Sequence, residues 1–462
     1  MKKVIRCVAF ALLIGVITVR VFDILSWKDT TDNYVSSTEM LYGTDKDLID
    51  AVFLGSSHTY CTIYPSVMWN SRGISGFDMS VSGQDRWSAY YSLKEVLKTQ
   101  SPKVVFAEMY TLLYDRAPQE WMVYRNVLSL KPSLNSKDHV EALIDEEERG
   151  DYNLRFPIIH TRYRELQKYD FINNPQNEYL RGECLGWHIE SGLKNPQARF
   201  EKDVIKLNAA NQKWLDDLRA LSEEEGFKLV FYLAPYSVTP DQQKMINASK
   251  EYAEKYGIDF YDFNLLSKEL DVDWSHDMLD VDHTNGFGAT KISLYLADIL
   301  ADEYGLPDHR GDSAYSQWDL DYKKYVHSYM QNCLESAGNV PEYLDIAKQI
   351  SDVAIYISVD GEFGNIVDWI EKLGISAEEL GSGGKWLWKN GVLTKLMDNS
   401  GGTIVCHEYS RFDNVIVQCI PDNTEANLLV NGETVTKTAN GVNILVYDTF
   451  ENKVLGTNVI DN

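Results

Sequence analysis

Ser57 lies in Gly55-Ser56-Ser57-His58, directly after the apolar run Ala51-Val52-Phe53-Leu54. Four apolar residues in a row read as a short buried strand. A buried strand that stops at a glycine and then presents hydroxyls can hold a nucleophile at the edge of a sheet. Taken alone, the stretch reads first as a strand followed by a helix N-cap, a position that serine favours. A serine hydroxyl becomes a nucleophile when a neighbouring base takes its proton, usually a histidine oriented by a carboxylate. Of nine histidines, the best placed is His283, in Asp280-Val281-Asp282-His283-Thr284-Asn285-Gly286. Asp280, three residues upstream, can reach the same side, whereas Asp282 is adjacent and points elsewhere. The chemistry indicated is acyl transfer, with Ser57 as nucleophile, His283 as base and Asp280 as its orienter. It requires no metal and no organic cofactor. Each residue also has a structural reading, since aspartates favour turns and His283-Thr284 could start a helix.

The surrounding elements place these residues at one end of a sheet. Ile74 to Gly83 reads as a second short strand ending at a glycine. Gln84 to Thr99 has helical periodicity, and Lys103 to Glu108 reads as a third, buried strand. Strand, helix and strand at this spacing form a βαβ unit and a parallel sheet. From about 110 to 200 the chain is aromatic-rich and less regular, which predicts a helical insertion that shapes a crevice or completes the core. The rhythm then resumes: a helix over Asp203–Glu225, a strand over Lys228–Ala234, a helix over Asp241–Tyr256, a strand over Ile258–Phe263, and a last helix from about Gly286 to Tyr304. Five strands alternating with helices predict an α/β, doubly wound sheet of flavodoxin type. His283 then falls at the carboxyl end of that sheet, the same end as Ser57.

A chain of 462 residues exceeds one ordinary core, so two domains are expected. The net charge of -25 argues against a nucleic-acid partner, which needs a basic face. Six cysteines without a CxxC pair offer neither a zinc knuckle nor a thioredoxin motif. Residues 1–26 read as a membrane anchor or signal. Met1-Lys2-Lys3 precedes an apolar segment broken by Arg6 and Arg20, and no small-x-small cleavage site follows. These features favour an uncleaved single-pass anchor with the body outside the cytoplasm, the alternative being secretion after signal cleavage. Trp27 to Lys46 reads as a polar, irregular tether. Residues 306–350 read as a helical linker, with helices at Tyr322–Glu335 and Pro341–Ile350. Residues 352–462 read as a second, mainly β domain of short runs between Gly and Asn turns, with a small helix at Asn365–Leu373.

Three blocks resemble the SGNH/GDSL hydrolase superfamily. Gly55-Ser56-Ser57 is similar to its Gly-Asp-Ser block, Gly83 sits where its glycine block lies, and Asp280-x-x-His283 matches its final block. The resemblance spans roughly 47 to 305. It implies an SGNH three-layer sandwich and an oxyanion hole made by the N–H groups of Ser57 and Gly83. Two positions depart from the pattern. Ser56 replaces the usual aspartate. The Gly-x-Asn-Asp block, whose asparagine completes the hole, is replaced by Phe106-Ala107-Glu108-Met109-Tyr110. An ionised Glu108 only accepts hydrogen bonds, which leaves Gln84 or His58 as candidate third donors. With the N-terminal anchor, the pattern resembles the membrane-anchored branch that includes alginate and cell-wall O-acetylation proteins and the D-alanyl-transfer protein of teichoic acid synthesis. That branch implies an acyltransferase or esterase acting on a cell-surface polysaccharide, supplied by a membrane-bound O-acyltransferase. The alternative is a non-catalytic glycan-binding or scaffold protein of the cell envelope.

The region from about Asp352 to Asp461 resembles the interleukin-like EMT inducer (PANDER-type) domain, through Leu428-Leu429-Val430-Asn431-Gly432-Glu433, Gly441 to Asp448 and Val459-Ile460-Asp461. This implies glycan or surface recognition, or a packing module without a ligand. Cys406 and Cys419 flank a possible hairpin turning near Phe412-Asp413. A symmetric register would bring them within disulfide reach.

Overall fold

In a computed structural model, the structure describes residues 2–26, 33–113, 120–171, 179–360, 374–376, 378–379, 383–397, 403–407, 415–422, 425–430, 433–438 and 441–461. The chain divides into two compact units, 1–325 and 326–462.

The first unit is built on five parallel strands: β1 (Ala51–Leu54), β2 (Gly76–Asp78), β3 (Val104–Glu108), β4 (Lys228–Leu233) and β5 (Asp259–Asp262). They lie in the order β2-β1-β3-β4-β5. Register is continuous, with Ala51 opposite both Gly76 and Val104, Val104 opposite Lys228, and Val230 opposite Asp259. This is the order of an open, doubly wound sheet. Alternate residues of each strand face opposite helical layers. Val52, Leu54, Val105, Ala107, Leu229 and Phe231 pack with Ala89, Leu93, Trp214, Leu218 and Ile246 from helices Arg86–Val96, Ala209–Glu225 and Pro240–Tyr256. Ala51, Phe53, Val104, Phe106, Val230 and Tyr232 pack with Met68, Ile292, Leu296 and Leu300 from helices Pro65–Arg72 and Gly286–Asp302. Strands apolar on both faces are those of a covered parallel sheet, so the continuous run Ala51–Leu54 is buried throughout.

Element ends follow local chemistry. The Asp85 carboxylate accepts from the Trp87 and Ser88 N–H groups, so the helix starts at Arg86, two residues after the expected Gln84. Asn208 caps Ala209–Glu225, and Gly226 closes it in the left-handed conformation with φ 80°. Thr239 and Gln242 form a capping box around Pro240.

The region expected as an irregular tether contains a helix, Asn33–Gly43. Leu41 is 1% exposed in the core and Ser37 and Thr38 are also buried, so tertiary packing overrides the polar composition. The insertion includes helices Leu134–Leu143 and Arg149–Leu154, and also a two-residue hairpin, Tyr179–Leu180 with Glu183–Cys184. Lys3–Leu25 is apolar and long enough to cross a membrane or to act as a signal sequence. Its carboxyl end is held by Arg162, which donates to the Leu25 carbonyl at 3.0 Å and to the Ser26 carbonyl. Arg162 is in turn paired with buried Asp170 at 2.9 Å.

Helix Ser316–Ser336 passes the division between units. In the second unit, β6 (Val353–Asp360), β7 (Gly384–Lys389), β8 (Val392–Met397), β13 (Gly441–Asp448) and β14 (Lys453–Asp461) form an antiparallel sheet in the order β8-β7-β6-β13-β14. Strands β9 (Thr403–His407), β10 (Val415–Asp422), β11 (Glu425–Val430) and β12 (Glu433–Thr438) form a second sheet in sequence order. Ile355, Ile357, Trp386, Ile444 and Val446 pack with Leu334, Tyr343 and Leu344 of the unit's helical segments. The helix expected at Asn365–Leu373 lies outside the described residues.

The symmetric register expected for Cys406 and Cys419 is not adopted. Cys406 pairs with Ile416, and Cys419 with Thr403. An offset of three residues separates the two cysteines by about 10 Å along the strand, beyond the roughly 7 Å Cα limit of a disulfide.

Candidate active site

The turn after β1 is shaped by close packing. A Cβ at Gly55 would lie 2.0 Å from Thr59 Oγ1 and 2.7 Å from Glu108 Oε2, so only glycine fits. The Gly55 N–H donates to Gln84 Oε1 at 3.1 Å, and Gln84 Nε2 donates to the Met79 carbonyl at 3.2 Å. The Val81 N–H donates to the Gly55 carbonyl at 3.2 Å. These bonds join the exits of β1 and β2. They also engage the Gln84 side chain in bracing the turn.

Helix Ser57–Tyr60 follows, with Ser57 half-buried. The Ser57 hydroxyl lies 2.8 Å from His283 Nε2, across 226 residues of sequence. His283 Nδ1 lies 2.9 and 3.0 Å from the two Asp280 oxygens. Burial pushes the Asp280 carboxyl up, but hydrogen bonds from the Asp282 N–H and from His283 outweigh it and hold the group below its ordinary value. Ionised Asp280 only accepts, so Nδ1 carries the proton and Nε2 presents its lone pair to the Ser57 hydroxyl. That is the tautomer a general base needs.

The loop carrying His283 is fixed on several sides. Asp280 Oδ1 accepts from the N–H groups of Asp282 at 2.7 Å and His283 at 2.9 Å. The Leu279 N–H donates to the His283 carbonyl at 2.8 Å, and the Ser237 N–H, beyond β4, to the Val281 carbonyl at 2.9 Å. Thr284 Oγ1 donates to the Cys61 carbonyl at 2.7 Å. Asn285 accepts from the Phe287 and Gly288 N–H groups and so caps helix Gly286–Asp302. Its Nδ2 donates to the His276 carbonyl at 2.7 Å and the His188 carbonyl at 3.0 Å. The sequence reading passed over Asn285, although Asn-Gly before a helical run is a start signal.

Gly83 adopts a left-handed φ of 66°, and a Cβ there would meet Met122 Cε of the insertion at 2.8 Å. Neither the Ser57 nor the Gly83 N–H makes a hydrogen bond among the described residues. Both remain available as donors. His58, the other candidate donor, is 2% exposed. Its ring stacks on Tyr110 at 3.7 Å, meets Tyr236 edge-on at 5.2 Å and lies 5.0 Å from the His283 ring. Burial, aided by the nearby His283, lowers its pKa well below 6.5 and keeps it neutral. It backs the His283 ring as part of an aromatic shelf.

Glu108 differs from the sequence expectation in its protonation state. It is 1% exposed, and burial pushes its carboxyl up to about 8. At neutral pH it is therefore mostly the uncharged acid, with a proton to donate as well as oxygens to accept. Oε2 accepts from Thr59 Oγ1 at 3.2 Å and from the Ser56 N–H at 3.4 Å. Tyr232, on β4, donates to Thr59 Oγ1 at 2.7 Å. Glu108 braces the turn that carries Ser57. Its residue type was visible in the sequence, but the burial that sets its charge was not.

Within the first unit, the hairpin of the insertion docks close by. The Asp78 N–H donates to the Arg181 carbonyl at 2.7 Å. The buried Glu183 carboxylate accepts from the Ser66 N–H at 2.9 Å and from the Ser66 hydroxyl. Arg181 pairs with Asp321 at 2.6 Å, both almost fully buried. Compared with known proteins, the chain matches no family model and no curated protein.

Proposed function

We propose that this protein is an extracytoplasmic, membrane-anchored SGNH-type O-acyltransferase or esterase that acts on a cell-surface polysaccharide through an acyl-serine intermediate. The observation that carries the reading is the line Ser57 Oγ, His283 Nε2, His283 Nδ1, Asp280, with contacts of 2.8 and 2.9 Å. In this scheme the Ser57 proton passes to His283 Nε2 as Oγ attacks the acyl carbonyl. The oxyanion is met by the Ser57 and Gly83 N–H groups, a type of contact worth on the order of 3 kcal/mol per donor. His283 returns the proton to the leaving group, the acyl group stays on Oγ, and the same base then deprotonates water or a sugar hydroxyl to release it. Asp280 holds the imidazole and stabilises its cation.

The doubly wound strand order, with Ser57 and His283 at the carboxyl end of the sheet, supports the SGNH sandwich. The Arg162 contacts to Leu25 and Ser26 support retention of the N-terminal helix as an anchor, since cleavage there would strip a buried guanidinium of two acceptors. The two antiparallel sheets of the second unit support the PANDER-type reading and a role in glycan recognition. The partners proposed are the polysaccharide and a membrane-bound O-acyltransferase that supplies the acyl group.

The test is mass spectrometry of the full chain after treatment with an activated acyl ester or an alkyl phosphonate. A covalent adduct on Ser57, abolished by Ser57→Ala, is the expected result. A folded protein whose Ser57 stays unmodified while other nucleophiles label would refute it.

A further inference from the structure

Two cysteines that this chemistry does not use face each other beside it. Cys61 directly follows helix Ser57–Tyr60 and is 5% exposed. Cys184 ends the hairpin of the insertion and is half-buried. Helix Ser57–Tyr60 lies against the strand Glu183–Cys184, the two side chains interact, and neither cysteine is in a disulfide. Separate anchors hold each backbone. The Cys61 carbonyl accepts from Thr284 Oγ1 at 2.7 Å, and the Cys184 carbonyl from the Tyr64 hydroxyl at 2.7 Å. Next to Cys184, the Glu183 carboxylate takes the Ser66 N–H at 2.9 Å. The contact thus joins positions 61 and 184 through bonds made on both sides of it.

We propose that Cys61 and Cys184 are a redox pair that closes into a disulfide on meeting a disulfide oxidant, stapling the insertion to the segment that carries Ser57. The oxidant is a small-molecule disulfide or a thiol–disulfide oxidoreductase. Cys184, the more accessible thiol, attacks one sulfur of the oxidant as its thiolate and expels the other as a thiolate. Cys61 then loses its proton and attacks the Cys184 sulfur, and the second oxidant thiolate leaves. Two protein thiols are oxidised, and one oxidant disulfide is reduced to two thiols. The interaction with Cys184, with burial, pushes the Cys61 thiol well up, so closure of the mixed disulfide accelerates as pH rises. The covalent link would hold the hairpin in place whether or not Glu183 and Ser66 stay bonded.

The proposal is independent of the acyl-transfer reading. Full-length protein is incubated with glutathione disulfide, alkylated and digested without reduction. The expected product is a peptide pair joined through Cys61 and Cys184, with two fewer titratable thiols per chain and full reversal by dithiothreitol. Amide exchange across Leu180–Cys184 should slow in the oxidised form. Cys184→Ser should abolish the link while Cys333 alkylates as before. Recovery of Cys61 and Cys184 as separate alkylated or glutathionylated residues would overturn the proposal, as would pairing of either with another cysteine. The wild-type mapping decides the question even if Cys61→Ser does not fold.

Discussion

Glu108→Gln should remove one component of the decline in stability that the wild-type protein shows as pH rises from 4.5 to about 8. The Glu108 carboxyl is raised by burial from 4.5 to about 8. Across that window the folded chain keeps a proton that the unfolded chain has lost. Stability falls wherever the folded state binds more protons, so the contribution is complete below pH 4.5 and is lost as pH rises toward 8. The window spans about 3.5 pH units at about 1.4 kcal/mol each, or about 5 kcal/mol in all. That is a large share of the roughly 5–15 kcal/mol by which domains are stable. Glutamine copies the neutral acid in shape, with a carbonyl oxygen to accept from Ser56 and Thr59 and no charge to bury. Variant and wild type should match near pH 4.5, and the variant should be the more stable by up to about 5 kcal/mol at pH 8. The assay is urea unfolding at several pH values, read by hydrogen exchange in peptides covering Val104–Glu108 so that the second unit is not counted. Asp78 and Glu183, also raised by burial, leave a residual slope of the same sign in both proteins. Parallel wild-type and variant curves would refute the reasoning.

Three further outcomes follow from particular contacts. Asp280→Asn should leave the fold intact but favour the wrong His283 tautomer, slowing phosphonate labelling of Ser57 by about 10⁴-fold; a change within tenfold would remove Asp280 from the proposed role. Gly83→Ala forces a side chain into a left-handed turn against Met122 and should cost about 1–2 kcal/mol or more, which an unchanged urea midpoint for the first unit would contradict. Trp386→Ala empties a site that is 2% exposed in the second unit. It should cost about 3–5 kcal/mol there while leaving Ser57 labelling unchanged, and loss of labelling would contradict the division into two units.

Much of the sheet and its carboxyl edge was legible because the signals are local. Ala51–Leu54 and Lys228–Leu233 are apolar runs, Gly226 and Gly257 stop helices, and Asp280-x-x-His283 sits just before a capped helix start. What escaped depends on tertiary surroundings. Helix Asn33–Gly43 looks polar and is anchored by burial of Leu41 in the core. The offset of Cys406 from Cys419 is set by strand pairing, which residue types alone leave open. Glu108 reads as a charge in the sequence, and only its enclosure makes it an acid that keeps its proton. The hairpin of the insertion was hidden because two-residue strands carry no periodicity.

The 226-residue separation of Ser57 from His283 also bears on how the chain is made. Ser57 and β1 leave the ribosome early, but the imidazole that would activate the hydroxyl is encoded beyond β5. A contact of such long range forms only after the loop-closure entropy of the intervening chain has been met. A nascent, truncated or misfolded chain therefore carries an ordinary serine at position 57. Under the proposed acyl-transfer mechanism, reactivity at Ser57 would therefore await completion of the sheet that brings His283 to it.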